Sequence, residues 1–307
     1  MRFKDKFKDG IISAKDFKRE DIEYILKRAK DMMDDKKSYD LLKGKILATL
    51  FVEPSTRTRL SFESAMLRLG GQIIGFHSGD VSSIKKGETL ADTIRTVENY
   101  CDCIVIRHNL EGAALLASKF SKVPIINAGS GSGEHPTQAL LDLFTITQQG
   151  LSLDGLNIGI MGDLKYGRTV HSLAILLSNF DVNIYFISPK ELMLRNRDKD
   201  YLQKNEVKYK EIERYREILN VLDVLYVTRI QKERFADVEE YDRVKSFYMF
   251  TKDDLKETKD QFKIMHPLPR VNEISPEIDS SPKSIYFKQT YYGIPVRKAL
   301  LAELLSN

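Results

Sequence analysis

The sequence predicts an α/β fold of two doubly wound domains, each with a central parallel sheet flanked by helices. Three observations carry this prediction. Short apolar runs of strand length alternate with apolar stripes at helical spacing. The alternation runs twice, before and after a long helix that begins at His135-Pro136 and is closed by Gly150. The segments richest in hydroxyl and charged side chains come directly after strand-like runs, where ligands of such sheets bind.

In the first series, Ile22, Ile25, Leu26 and Ala29 keep helical spacing, and Lys45 to Phe51 reads as a buried strand. Phe62, Ala65, Met66 and Leu69 form the next helical stripe, stopped by Gly70-Gly71. Gln72 to Phe76 is a short strand, residues 78 to 88 a mobile Ser-, Gly- and Lys-rich loop, and Leu90 to Tyr100 a helix. Cys103 to Arg107 (strand), Glu111 to Phe120 (helix) and Val123 to Asn127 (strand) follow, and then a flexible glycine-serine loop over residues 128 to 133. Pro136 suits the first position of the helix that comes next. The second series has strands at Asn157 to Met161, Asn183 to Ile187, Asp223 to Val227 and Phe262 to Met265. Its helices are Thr169 to Asn179, a charged stretch near 190 to 220, and a terminal amphipathic one through Val296, Ala299, Leu300 and Leu304. The two series split near residues 135 to 150.

Composition narrows the function classes. The 307 residues suit two domains of ordinary size. Basic residues number 48 and acidic ones 44, a net +4 that is interleaved along the chain and gives no nucleic-acid face. No apolar run is long enough for a membrane helix. Met1 to Asp5 is charged throughout, so no secretory signal is expected. Cys101 and Cys103 would point to opposite faces of a strand and read as packed thiols of a reducing, cytoplasmic compartment.

The densest chemical signal is Glu53-Pro54-Ser55-Thr56-Arg57-Thr58-Arg59, after one strand and opening a helix. A helix start offers free N–H groups and partial positive charge. Hydroxyls and guanidiniums crowded there make a phosphate cradle rather than an ordinary cap. Ser82-Ser83-Ile84-Lys85-Lys86 supplies further hydroxyls and cations in a glycine-flanked loop. Arg107-His108 ends another strand. His135 stands at a helix start, where a neutral imidazole can donate to a carbonyl oxygen and polarise it.

Gly162-Asp163-Leu164-Lys165-Tyr166-Gly167-Arg168-Thr169 nearly matches a nucleotide P-loop, but Arg168 stands where lysine is required. A nucleotide site there is the alternative reading. Thr228-Arg229-Ile230-Gln231 follows a strand, and so does His266-Pro267-Leu268-Pro269-Arg270, whose prolines fix an extended backbone able to aim the Leu268 carbonyl at a ligand. His77, His108 and His171 show no metal spacing, so neither metal nor cofactor is expected.

Pro54 to Arg59, Lys85 to Thr93, His135 to Gln138, Gly162 to Thr169 and His266 to Arg270, in this order and spacing, resemble the catalytic chains of aspartate carbamoyltransferases, within the aspartate/ornithine carbamoyltransferase superfamily. The resemblance implies a carbamoyl phosphate-binding domain over 1–135, joined by the C-terminal helix 291–307, and an aspartate-binding domain over 136–290. It implies that Ser55, Thr56, Arg57, Thr58, Ser82 and Lys86 bind the phosphate. Thr58, Arg107 and His135 would polarise the carbamoyl oxygen, and Gln138 with the Pro267 and Leu268 carbonyls would hold the carbamoyl amine. Lys86, Arg168, Arg229 and Gln231 would hold aspartate. Ornithine enzymes resemble one another in a His-Cys-Leu-Pro segment; here His266-Pro267-Leu268 has no cysteine, and two arginines suit two carboxylates. The resemblance further implies a homotrimer with shared active sites, in which Ser82 and Lys86 come from the neighbouring subunit. It leaves a separate regulatory chain open.

Overall fold

The computed structural model describes residues 2–33, 37–79, 86–230, 239 and 248–306. The chain divides into two compact units, Met1–Phe144 with Tyr291–Asn307, and Thr145–Thr290.

The first unit contains α1 (Phe3–Lys6), β1 (Gly10–Ile11), α2 (Arg19–Asp31), β2 (Ile46–Phe51), α3 (Thr56–Arg68), β3 (Gln72–Phe76), α4 (Leu90–Val97), β4 (Cys103–His108), α5 (Ala113–Phe120) and β5 (Ile125–Ser130). Helix α6 (Pro136–Thr147) starts in this unit and crosses its boundary. All strands pair in parallel, in the order β1-β5-β4-β2-β3. β2, β4 and β5 are buried almost throughout, which is why they read as continuous apolar runs.

The second unit contains β6 (Asn157–Met161), α7 (Arg168–Leu177), β7 (Asn183–Ile187), α8 (Asn196–Lys204), β8 (Lys208–Ile212), β9 (Val224–Val227) and β10 (Lys263–Met265). Helix α9 (Tyr286–Leu305) runs from here into the first unit's share of the chain. The strand order is β10-β9-β6-β7-β8, again parallel. In each sheet the strand order reverses once, between β2 and β4 and between β6 and β9. Crossovers of one hand then put helices on both faces, and the reversal opens a crevice at the strands' C-terminal ends.

Two expectations need correction. Residues near 190 to 220 are not one helical stretch: α8 stops at Lys204, Glu206 takes φ 56°, and the chain returns as β8. As an edge strand, β8 needs no apolar face, so Lys208-Tyr209-Lys210-Glu211 carried no strand signal. The glycine-serine segment is not an open loop. β5 continues to Ser130, and Gly129 N–H and Ser130 Oγ donate to Asn127 Oδ1 at 2.9 and 3.0 Å. Gly131 N–H donates to the His108 carbonyl at 2.9 Å. The mobile loop read over residues 78 to 88 falls largely outside the described residues. The two-residue β1, too short to show a pattern, was not foreseen; its Gly10 backs so closely onto Ile125 that a Cβ would lie 1.9 Å from the Ile125 carbonyl oxygen.

Gly162, at the end of β6, has φ 122°, and a Cβ there would stand 2.1 Å from the Thr228 carbonyl oxygen after β9. Gly162→Ala is therefore expected to cost about 3 kcal/mol of folding stability, read as a lower urea midpoint at unchanged m-value.

Candidate active site

In the first unit, the β2–α3 junction carries the expected phosphate ligands. Ser55 occupies the N-cap of α3 in extended conformation, φ −156° and ψ 108°, and its hydroxyl makes no capping hydrogen bond. The usual local use of a serine at this place is thus not taken. Thr56 and Arg57 are exposed on the first turn, and Thr58 is buried.

Arg107, near the end of β4, holds this junction twice. Its carbonyl accepts the Val52 and Glu53 N–H groups at 2.9 and 3.3 Å. Its guanidinium donates to Glu53 Oε1 at 2.8 Å and to the Ala128 carbonyl at 3.3 Å. The pair is largely shielded from water, so the guanidinium is fixed rather than roaming.

His135 stands just ahead of α6, 3% exposed, and its carbonyl accepts the Gln138 N–H at 3.0 Å. Its Nε2 lies 3.4 Å from Thr58 Oγ1. Residues far apart in sequence therefore meet at the C-terminal ends of β2, β4 and β5. Gln138 Nε2 donates to Asp142 Oδ1 at 2.9 Å. Lys86 is exposed, with no hydrogen bond or ion pair to the other expected ligands among the described residues. Ser82 and Gln231 lie outside the described residues.

In the second unit, Arg168 is buried at the start of α7. The turn before it is tightly held. Gly162 N–H donates to Ile187, Leu164 N–H to Leu192, and Tyr166 N–H to the buried Asp163 carboxylate. Three of the turn's backbone donors are thereby already used and do not serve a nucleotide phosphate. His171 braces the same turn: Nε2 donates to the Leu164 carbonyl at 2.9 Å, and Nδ1 accepts from Arg195 at 2.8 Å.

Arg229 follows β9 and lines a pocket with Gly162, Thr228, Tyr248, Asn272 and Glu273. Arg168 is outside that lining. The His266–Arg270 segment is shaped by His266, whose Nδ1 accepts the Leu268 N–H at 2.8 Å, leaving the proton on Nε2 for Glu273 at 2.6 Å. Leu268 is not extended as expected. Its φ of 57° lies in the left-handed region, and its N–H is bonded back to His266. Arg270 is taken by a two-pronged pair with Asp279 and lies over the Tyr286 ring, so it serves the fold.

Sequence reasoning passed over Asp142, Tyr248 and Glu273, and did not give Glu53 a role. Asp142 was findable as the i+4 neighbour of Gln138 on a helix. Tyr248 and Glu273 depend on tertiary placement and left no local mark.

Family models match both parts of the chain. The aspartate/ornithine carbamoyltransferase carbamoyl-P binding domain matches residues 10–148, and the Asp/Orn binding domain of the same family matches residues 154–304. The chain belongs to the aspartate/ornithine carbamoyltransferase family. Within this family it is 56% identical over 294 residues to the aspartate carbamoyltransferase catalytic subunit of Thermococcus kodakarensis, covering 95% of each chain. It is 52% identical to a solved catalytic subunit of M. jannaschii aspartate transcarbamoylase, with TM-score 0.88, covering 96% of this chain and 97% of that one. Aspartate transcarbamoylase from Trypanosoma cruzi, solved in complex with N-(phosphonacetyl)-L-aspartic acid, is 40% identical with TM-score 0.93, over 99% of this chain and 98% of that one.

In this carbamoyltransferase chain the Glu273 carboxyl sits below its ordinary value of 4.5. Burial pushes it up, but the His266 hydrogen bond and nearby backbone N–H groups outweigh that. A depressed carboxylate stabilises the fold above its unfolded pKa and loses that contribution as pH falls through the folded value. Urea unfolding from about pH 6 down to about pH 3 should show a stability loss that Glu273→Gln makes shallower. An unchanged slope in the variant would remove Glu273 from the acid response.

Proposed function

We propose that this chain transfers the carbamoyl group of carbamoyl phosphate to the α-amino group of L-aspartate, giving N-carbamoyl-L-aspartate and phosphate, in cytoplasmic pyrimidine biosynthesis. The observation that carries the reading is the meeting of Thr58 and His135 beside the fixed Arg107, at the sheet end that also bears the Ser55–Thr58 helix start. That set can bind a phosphate and polarise an adjacent carbonyl oxygen. Aspartate transcarbamoylase from Trypanosoma cruzi, also solved in complex with carbamoyl phosphate and aspartate, supports the same pair of substrates.

The neutral amine nitrogen attacks the carbamoyl carbon, the bond to the phosphate oxygen breaks, and the amine proton leaves with the phosphate. Charge that builds on the carbonyl oxygen is met by Thr58, Arg107 and His135. Ser55, Thr56, Arg57 and Thr58, with Ser82 and Lys86 of a neighbouring subunit, take the phosphate. Gln138 and the Pro267 and Leu268 carbonyls take the carbamoyl amine. Arg168, Arg229, Gln231 and Lys86 take aspartate. Residues 1–135 with 291–307 form the carbamoyl phosphate half and 136–290 the aspartate half, in a homotrimer that shares its sites. The relatives' description as catalytic subunits supports a place for a separate regulatory chain.

Carbamoyl-aspartate formation from carbamoyl phosphate, with ornithine in parallel, tests this. Aspartate alone should be carbamoylated. Arg57→Ala or His135→Ala should lower kcat by about 10²–10³-fold. Arg168→Ala and Arg229→Ala should act chiefly on the aspartate KM. Turnover of ornithine, or near-normal turnover by Arg57→Ala, would overturn the reading.

A further inference from the structure

One buried cluster of the first unit leads straight to an expected ligand. Arg297, on α9, is 3% exposed. Its Nη1 donates to Ser61 Oγ at 2.6 Å, and its guanidinium lies 4.8 Å from the Phe62 ring centre. Gly293 on the same helix leaves room for it, since a Cβ there would stand 2.5 Å from Nη1. Burial pulls the Arg297 pKa down to about 10, and the opposing influence is the Asp142 carboxylate. Asp142 is fully buried and accepts from Gln138 Nε2 at 2.9 Å.

The chemistry of these groups is directional. It is Gln138 Nε2 that meets the Asp142 carboxyl oxygen, so the amide's own carbonyl oxygen faces away from Asp142. A reversed amide would set its own NH2 against the NH2 of a carbamoyl group, donor against donor.

We propose that Asp142 is a positioning residue that locks the Gln138 amide with its oxygen toward the substrate, so that the site selects an acyl phosphate bearing NH2 over one bearing CH3. This rests on the reading of Gln138 as a carbamoyl ligand. A pocket built to hydrogen-bond one group rejects the analogue that lacks it, because its own polar atom is left unpaired. Discrimination between carbamoyl phosphate and acetyl phosphate is then set by the carboxylate behind Gln138.

The experiment measures the KM for carbamoyl phosphate and the inhibition constant for acetyl phosphate in the full-length enzyme. The variants are Asp142→Asn, Gln138→Ala and the double variant, with thermal unfolding run alongside. Asp142→Asn should raise the KM about tenfold while the acetyl phosphate constant moves less than about twofold. Gln138→Ala should do the same, and the double variant should be no worse than Gln138→Ala alone. Equal losses for both phosphates, or losses that multiply in the double variant, would overturn the proposal. A Gln138→Ala enzyme with unchanged KM would also remove it; wild-type carbamoyl-aspartate formation separately checks the transferase reading. Should Asp142→Asn not fold, Asp142→Glu decides: a retained carboxylate should keep the selectivity, and its loss in a folded Asp142→Glu enzyme would refute the assignment.

Discussion

The grip of Arg107 on the β2–α3 junction is the constraint on which the first unit's site depends. The carbonyl of a β4 residue holds the backbone at Val52 and Glu53, and the guanidinium of the same residue holds the Glu53 side chain. Backbone and side chain together fix where α3 begins, and with it where Ser55 to Thr58 present their donors. The arrangement uses the reversal of strand order between β2 and β4, because only there do the ends of two parallel strands lie side by side with their connections leaving in opposite directions. Glu53 has a second effect. It neutralises part of the charge of Arg107 and orients its guanidinium beside the start of α3.

The second unit solves a different problem with related means. Its turn after β6 spends its own N–H groups on Ile187, Leu192 and Asp163, and His171 fastens the Leu164 carbonyl from below. Arg168 stands on the first turn of α7 and Arg229 two residues past β9, and each guanidinium has the paired donors that a carboxylate takes.

Much of this was legible beforehand. Central strands such as β2, β4 and β6 announced themselves because both faces are buried and the apolar run is unbroken. The helix starts that carry Ser55 to Thr58 and His135 were legible too, from the crowding of hydroxyls after a strand and from Pro136 at a first helical position. What was not legible belongs to longer range. Lys208 to Ile212 lies at a sheet edge and obeys no apolar rule there. Leu268 is left-handed while a histidine two residues earlier takes its N–H, and no propensity encodes that. Residues 128 to 133 looked loose by composition, yet Asn127 and His108 satisfy their donors, so small residues there serve close packing.

The two sheets differ at their outer strands. β8 places Lys208, Lys210 and Glu211 along its length, charges that would have to be desolvated before another strand could add to that edge. β3, Gln72-Ile73-Ile74-Gly75-Phe76, has no charge at all, and Ile74 is exposed. Self-association of partly unfolded chains during refolding would thus begin at the β3 border of the first unit, while the charges of β8 guard the second unit's edge against it.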